Sequence, residues 1–173
     1  MRTLLVLRHG KAVRDTSELS DHARPLKKKG VREAEVVGQY LRANGLLPDH
    51  VLCSTAERAR DTAQRALRAA ELEPPIEYLN ELYLAEPPAY VEALRRHAAD
   101  AERALVVGHN PGLEALVYLL TGEERVLDTG ALVVCELPID AFGELPAAGR
   151  GTSVRELPSR IGKVVGFFQP QED

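Results

Sequence analysis

The chain has 173 residues, 45% of them apolar, and a formal net charge of −4, which is enough material for one domain with a real core. That charge excludes the basic field nucleic-acid binding uses, and no apolar run approaches the roughly eighteen residues of a membrane span. The two cysteines, Cys53 and Cys135, lie in separate apolar runs and read as buried free thiols, which suits a reducing cytoplasm.

Thr3 to Leu7 is an apolar run of strand length that stops at Arg8-His9-Gly10. It is too short for a signal peptide and is broken by Arg8. Residues 11–29 form a polar, irregular loop with Pro25, and loops this long in a compact domain are usually functional. Its Lys27-Lys28-Lys29 run reads as the solvated start of a helix. Val31, Ala34, Val37, Tyr40 and Leu41 then recur at helical spacing, with Gly45 as the stop. Asp49 to Cys53 is a second strand ending at Ser54. Glu57 to Leu72 is a second helix, with an apolar stripe of Ala59, Ala63, Ala66, Leu67 and Ala70 and arginines on the other face.

Pro74-Pro75 ends that helix, and Ile76 to Leu79 follows as a short strand. Pro88 to Ala99 is a third helix with Val91, Leu94 and Ala98 inward. Ala104 to Val107 is a strand ending at Gly108-His109. Pro111 falls where a first helical residue is expected, and Leu113, Leu116, Val117 and Leu120 follow, closed by Gly122. Gly130 to Leu137 is a strand. Gly143 to Gly151 is turn-rich, Thr152 to Leu157 is a candidate strand, and Val164 to Phe168 is ambiguous between strand and helix.

Alternating strands and helices predict an α/β fold: a three-layer α/β/α sandwich around a mixed, mostly parallel sheet. In such sheets ligands bind beyond the carboxyl ends of the strands. Here three strands end in Arg8-His9-Gly10, in Ser54 and in Gly108-His109, so adjacent strands would gather these residues on one rim. Arginine offers a planar fork of donors for phosphate, and histidine serves as base or nucleophile. Gly10 lets the backbone approach a ligand. Arg58 lies within the first turn of its helix, where the dipole already favours an anion, whereas Arg60 points about 200° away. The histidines lack a carboxylate or cysteine ligand at metal spacing, and adjacent cations repel a divalent ion. The expectation is a phosphate pocket with no metal and no cofactor.

These residues resemble the histidine phosphatase superfamily. The resemblance rests on Arg8-His9-Gly10, on Ser54 and Arg58 in a Ser-x-x-x-Arg-Ala-x-x-Thr-Ala stretch, and on Gly108-His109-Asn110-Pro111-Gly112. Asp21-His22-Ala23-Arg24-Pro25-Leu26, followed by Gly30, resembles a segment of its small branch, which contains the SixA-type phosphohistidine phosphatases. The likeness covers about residues 1–135 and implies a phosphoglycerate mutase-like fold, with residues 1–173 as one histidine phosphatase domain. Lys27 stands where the family often has Thr, and Thr55 where it usually has Pro.

The resemblance implies that His9 is the nucleophile and forms a transient phosphohistidine. Arg8, Arg58 and His109 would hold the nonbridging oxygens. Ser54, Gly10 and Asn110 join the candidate phosphate contacts, although Asn110 reads better as the cap of the helix at Pro111. Arg24 is either a further phosphate contact or an ion-pair partner of Asp21. Glu81, in Leu79-Asn80-Glu81-Leu82-Tyr83, is either the proton donor or a surface carboxylate. A phosphoramidate expels imidazole, a better leaving group than an alkoxide, so it depends less on such a donor. His22, His50 and His97 read as loop or surface residues, and Tyr78, Tyr83, Tyr90 and Tyr118 as core or edge aromatics. The expected activity is hydrolysis of phosphohistidine on a partner protein. The alternatives are a small-molecule phosphomonoesterase acting on sugar or nucleotide phosphates, and a phospholigand-binding module without turnover. Neither nucleic acid nor membrane is an expected partner.

Overall fold

The computed structural model describes residues 1–147 and 161–171. Six strands form one sheet: β1 (Arg2–Arg8), β2 (His50–Ser54), β3 (Ile76–Leu79), β4 (Arg103–Gly108), β5 (Leu132–Leu137) and β6 (Lys163–Phe168). Their order is β3-β2-β4-β1-β5-β6. The first four of that order run parallel; β5 pairs antiparallel with β1, and β6 with β5. Four helices flank it: α1 (Lys28–Ala43), α2 (Glu57–Ala69), α3 (Pro87–His97) and α4 (Gly112–Thr121).

Alternation along β1 shows how the layers form. Leu4 and Val6 enter one core with Leu94 of α3 and Leu113, Leu116 and Val117 of α4. Leu5 and Leu7 enter the opposite core with Val37 and Leu41 of α1 and Ala59 and Ala63 of α2. Both faces are covered, so the central strands read as continuous apolar runs. This is the three-layer α/β/α sandwich with a mixed, mostly parallel sheet that the sequence predicts.

Val164 to Phe168 resolves as strand β6, with Val165 and Phe167 exposed on alternate positions. Helix α2 stops at Ala69, three residues early, where Glu71 turns into positive φ. The candidate strand Thr152–Leu157 lies outside the described residues, as does the end of the turn-rich stretch, which opens on a 3-10 turn at Phe142–Glu144. Among the described residues no helix is long and apolar enough to cross a membrane.

The long 11–29 loop is more ordered than its composition suggests. It folds back on itself through an isolated antiparallel bridge between Ala12 and Leu26. Val13 N–H donates to Pro25 O, and Lys27 N–H to Lys11 O, each at 2.8 Å. The far end closes in a 3-10 turn, Asp21–Ala23, capped by the Ser20 hydroxyl. Parallel pairing of β2, β4 and β1 lays Ser54, His109 and His9 side by side at their carboxyl ends, and the loop arches over them.

Candidate active site

His9 follows the last residue of β1 and is only 8% exposed. Its Nδ1 lies 2.7 Å from the Gly10 carbonyl oxygen, and its Nε2 lies 3.3 Å from Arg58 Nε. A carbonyl only accepts and a guanidinium only donates, so the proton sits on Nδ1 and Nε2 presents a lone pair. Burial pushes the imidazole pKa down to about 4, against the raising pull of the Gly10 carbonyl and with help from Arg58 and Arg8. His9 is therefore a neutral base or nucleophile at pH 7. Gly10 lets this turn pack tightly, since a Cβ there would stand 2.6 Å from the Gly30 carbonyl oxygen at the start of α1. Its N–H donates to Thr62 Oγ1, whose hydroxyl in turn donates to Arg58 O.

Arg58, in the first turn of α2, is 2% exposed. Besides His9 it reaches His109 Nδ1 at 3.3 Å, the Asp21 backbone oxygen at 2.7 Å and Asp21 Oδ2 at 3.1 Å. The two bonds to histidine are long for N–H donors, and the bond to the Asp21 backbone is the shortest of the four. His109, directly after β4, uses the same logic as His9. Its Nδ1 accepts from Arg58, so its Nε2–H donates to Ser54 Oγ at 2.8 Å. Burial, the neighbouring His9 and Arg58 lower its pKa to about 3. Ser54 thus orients His109 and does not face the pocket. The Tyr90 hydroxyl accepts the His109 backbone N–H at 3.2 Å and fixes the chain there.

Arg8 donates from Nη1 to Leu127 O at 2.9 Å. Asn110 Nδ2 donates to the same oxygen and to Glu114 Oε1, which also accepts Leu127 N–H. Asn110 therefore braces the wall behind Arg8. The expected cap role is not the one observed: Pro111 precedes α4 and provides no side-chain cap, and the Asn110 amide donates elsewhere. Buried Glu33 of α1 accepts Lys11 N–H and the Thr129 hydroxyl on the next side of the rim.

The folded-back loop supplies Asp21 and Arg24. Arg24 meets Asp21 Oδ1 through Nε at 3.0 Å and Nη2 at 2.8 Å, and Val13 O through Nη1. Arg24 is thus both paired with Asp21 and part of the pocket wall. The Tyr83 hydroxyl donates to Asp21 Oδ2, and its ring stands edge-on to His109. Above all that hydroxyl, then Arg24 and Arg58, hold the Asp21 carboxyl well below the usual range in spite of burial. His22 Nε2–H donates to Thr55 Oγ1, which donates to Asn80 Oδ1.

The resulting cavity holds about 300 Å³ and is lined by Arg8, His9, Asp21, Arg24, Arg58 and His109, with Asn110, Lys11, Thr129 and Leu84 among others at its edge. Glu81 is absent from that lining and is exposed on the 3-10 turn Asn80–Leu82. Its neighbours Tyr83 and Leu84 reach the site instead. Sequence reasoning missed Asp21 as a member of the pocket, and missed Tyr83, Thr62 and Tyr90 as its supports. The Thr of the Arg-Ala-x-x-Thr-Ala stretch was the available signal for Thr62. His50 and His97 are not free surface residues, since both pair with Glu77, at 2.6 and 3.1 Å, away from this cavity. Among the described residues no three His, Cys, Asp or Glu side chains are arranged to hold a metal ion.

A buried, neutral imidazole beside three guanidinium groups and a second imidazole can attack and hold one phosphoryl group. The chain also resembles known proteins. Residues 4–83 match the family model for the histidine phosphatase superfamily, branch 1. A crystal structure assigned as the phosphohistidine phosphatase SixA of Agrobacterium tumefaciens superposes with a TM-score of 0.78 at 25% identity, over 98% of both chains. A structure of the protein histidine phosphatase SixA with tungstate gives 0.66 at 28% identity, over 78% of this chain and 88% of that one. An uncharacterized protein of Mycobacterium tuberculosis is 34% identical over 169 residues, 95% of this chain and 100% of its own length. The chain belongs to the histidine phosphatase superfamily, in its SixA-like branch. Membership supports phosphatase activity as its general chemistry.

Proposed function

We propose that this chain hydrolyses phosphohistidine on proteins through a transient phosphohistidine on His9. The observation that carries the reading is the His9 Nε2 lone pair, aimed at Arg58 while the ring proton is committed to the Gly10 carbonyl. Nε2 attacks phosphorus and the bond from phosphorus to the leaving nitrogen breaks. Arg8 and Arg58 take the nonbridging oxygens, and His109 joins them in its other tautomer, donating from Nδ1–H while the Ser54 hydroxyl turns to donate to Nε2, with no net gain of a proton. Water then attacks the phosphoenzyme, phosphate leaves, and His9 returns neutral. Neither a metal nor a cofactor enters these steps.

Two features support a protein-borne substrate. The likeness to structures described as SixA extends over nearly the whole chain. The segment Tyr83–Glu86 also runs directly from the 3-10 turn into α3, with no cap inserted at that point among the described residues. The buried free thiols Cys53 and Cys135 support a reducing, cytoplasmic setting.

The test compares wild type with His9→Ala, metals chelated, on a phosphohistidine-bearing phosphotransfer protein, p-nitrophenyl phosphate and a panel of small phosphate esters. His9-dependent release, fastest from the protein, supports the proposal. Preference for esters makes the enzyme a small-molecule phosphomonoesterase. Phosphate binding without release from any substrate makes it a binding module.

A further inference from the structure

We propose that Asp21 is the proton donor to the leaving group, stored ionised by Arg24, Arg58 and Tyr83 until a phosphoryl group takes over the arginine donors. This deepens the phosphatase reading and rests on it. Among the described residues that line the cavity, Asp21 is the one carboxylate. Glu81, which the sequence leaves open between proton donor and surface carboxylate, stands exposed off the cavity.

The groups facing Asp21 define how it is stored. Oδ1 takes two donors from Arg24, and Oδ2 takes Arg58 Nη2 and the Tyr83 hydroxyl. His22 stands behind Tyr83, edge-on to its ring. Asp21 therefore engages the same planar forks that would take a phosphoryl group. It cannot give up a proton in that state, because it has none. A phosphoryl group seated beside His9 and His109 competes for Arg58, and Asp21 then exchanges cationic partners for an anionic neighbour. Both changes favour the protonated carboxyl.

The proton balance closes without an outside reagent. A phosphate monoester monoanion, with a second pKa near 6, carries the proton in and passes it to Asp21. His9 Nε2 forms a bond to phosphorus as the bond to the leaving oxygen breaks, and the Asp21 proton goes to that oxygen. For phosphohistidine the proton goes to the departing imidazole, which then leaves neutral. In the second step the Asp21 carboxylate accepts a proton from the attacking water as the bond between phosphorus and Nε2 breaks. Asp21 therefore acts first as acid and then as base.

The test is kcat/KM, which reads only the steps through phosphoenzyme formation, for a series of aryl phosphates from dinitrophenyl to phenyl, with an alkyl phosphate. Asp21→Asn keeps one acceptor oxygen, for Arg24, and presents an NH2 from which the Tyr83 hydroxyl can accept, but it has no carboxyl proton. Its loss should grow along the series, from under about tenfold on dinitrophenyl phosphate to about 10²–10⁴-fold on the alkyl ester. On a phosphohistidine protein its loss should deepen as the pH rises above the substrate ring's own pKa. Asp21→Glu should restore part of the shallow wild-type dependence. If Asp21→Asn does not fold, Asp21→Ala gives the same reading. A loss equal on all substrates would make Asp21 a positioning residue and overturn the proposal, as would no loss at all. A wild type inactive on every phosphate removes the phosphatase reading and this proposal together, whereas an active enzyme with an unchanged slope removes this proposal alone.

Discussion

Arg58 Nε donates to His9 Nε2, so the arginine that would bind substrate holds the nucleophile's lone pair while the site is empty. The contact is 3.3 Å long, and the same guanidinium makes a shorter bond of 2.7 Å to the Asp21 backbone. An entering phosphoryl oxygen can therefore displace the weaker partner and keep the stronger. Arg58 stays anchored to the loop while it turns its remaining donors to the anion.

A point charge cannot do this. Arg58→Lys loses the planar fork that spans His9, His109 and Asp21, and is expected to lower kcat/KM by about 10²–10³-fold. Tungstate affinity, measured by calorimetry, should weaken in parallel. Loss of activity with intact tungstate binding would count against a direct role.

Acidity should act on both rate and stability. Burial lowers His9 to about 4 in the fold, against about 6.5 when unfolded, so on the acid side kcat/KM should hold down to about pH 4. Between those values the unfolded chain binds more protons than the native one, so stability rises with pH across this window. At about 1.4 kcal/mol per pH unit, acidification from 6.5 to 4 costs on the order of 3 kcal/mol at His9. His109, depressed to about 3, adds to the loss, and the two neighbours titrate as a pair. Thermal melts at pH 7 and pH 4.5 should show a clearly lower midpoint in acid, and a His9→Ala variant should lose part of that difference.

Ser54→Ala should damage His109 without touching the pocket. It leaves the buried Nε2–H of His109 without an acceptor, at a cost of about 1–3 kcal/mol. Freed from that bond the ring can turn, and kcat/KM should fall about ten- to a hundredfold. Melting temperature and kcat/KM measured on one preparation check both effects.

Gly10→Ala places a methyl group 2.6 Å from the Gly30 oxygen and 2.9 Å from its Cα. Neither neighbour is a side chain that can swing away. The variant should lose about 1–3 kcal/mol and displace His9, so it should melt earlier and also turn over more slowly. Normal stability would mean that the start of α1 gives way.

Where local sequence dictates local structure, the reading was sound. Leu4 to Leu7 and Leu105 to Val107 are apolar runs with abrupt polar ends, and parallel pairing does the rest. Three factors hid the remainder. Val164 to Phe168 is apolar at nearly every position, so the alternation that makes β6 an edge strand is masked. Asn110 looks like a helix cap until Leu127 and Glu114, 17 and 4 residues away, claim its amide. Asp21 and Tyr83 are 62 residues apart and meet only because the 11–29 loop doubles back. No window of sequence contains that contact, whereas Glu81 is an acid in a short segment, Leu79-Asn80-Glu81-Leu82-Tyr83, that resembles the family's pattern.

The bridge between Ala12 and Leu26 divides the pocket by origin. His9, Arg58 and His109 belong to the strand ends and the first turn of α2, and Thr62 ties Gly10, next to His9, to the Arg58 backbone. Asp21 and Arg24 ride on a separate arm, bridged at its root and pinned at its tip by Arg58, Tyr83 and Thr55. Descendants of such a chain can rewrite the arm, and with it the proton donor and what the pocket accepts, while the nucleophile and the arginine clamp of α2 are inherited untouched.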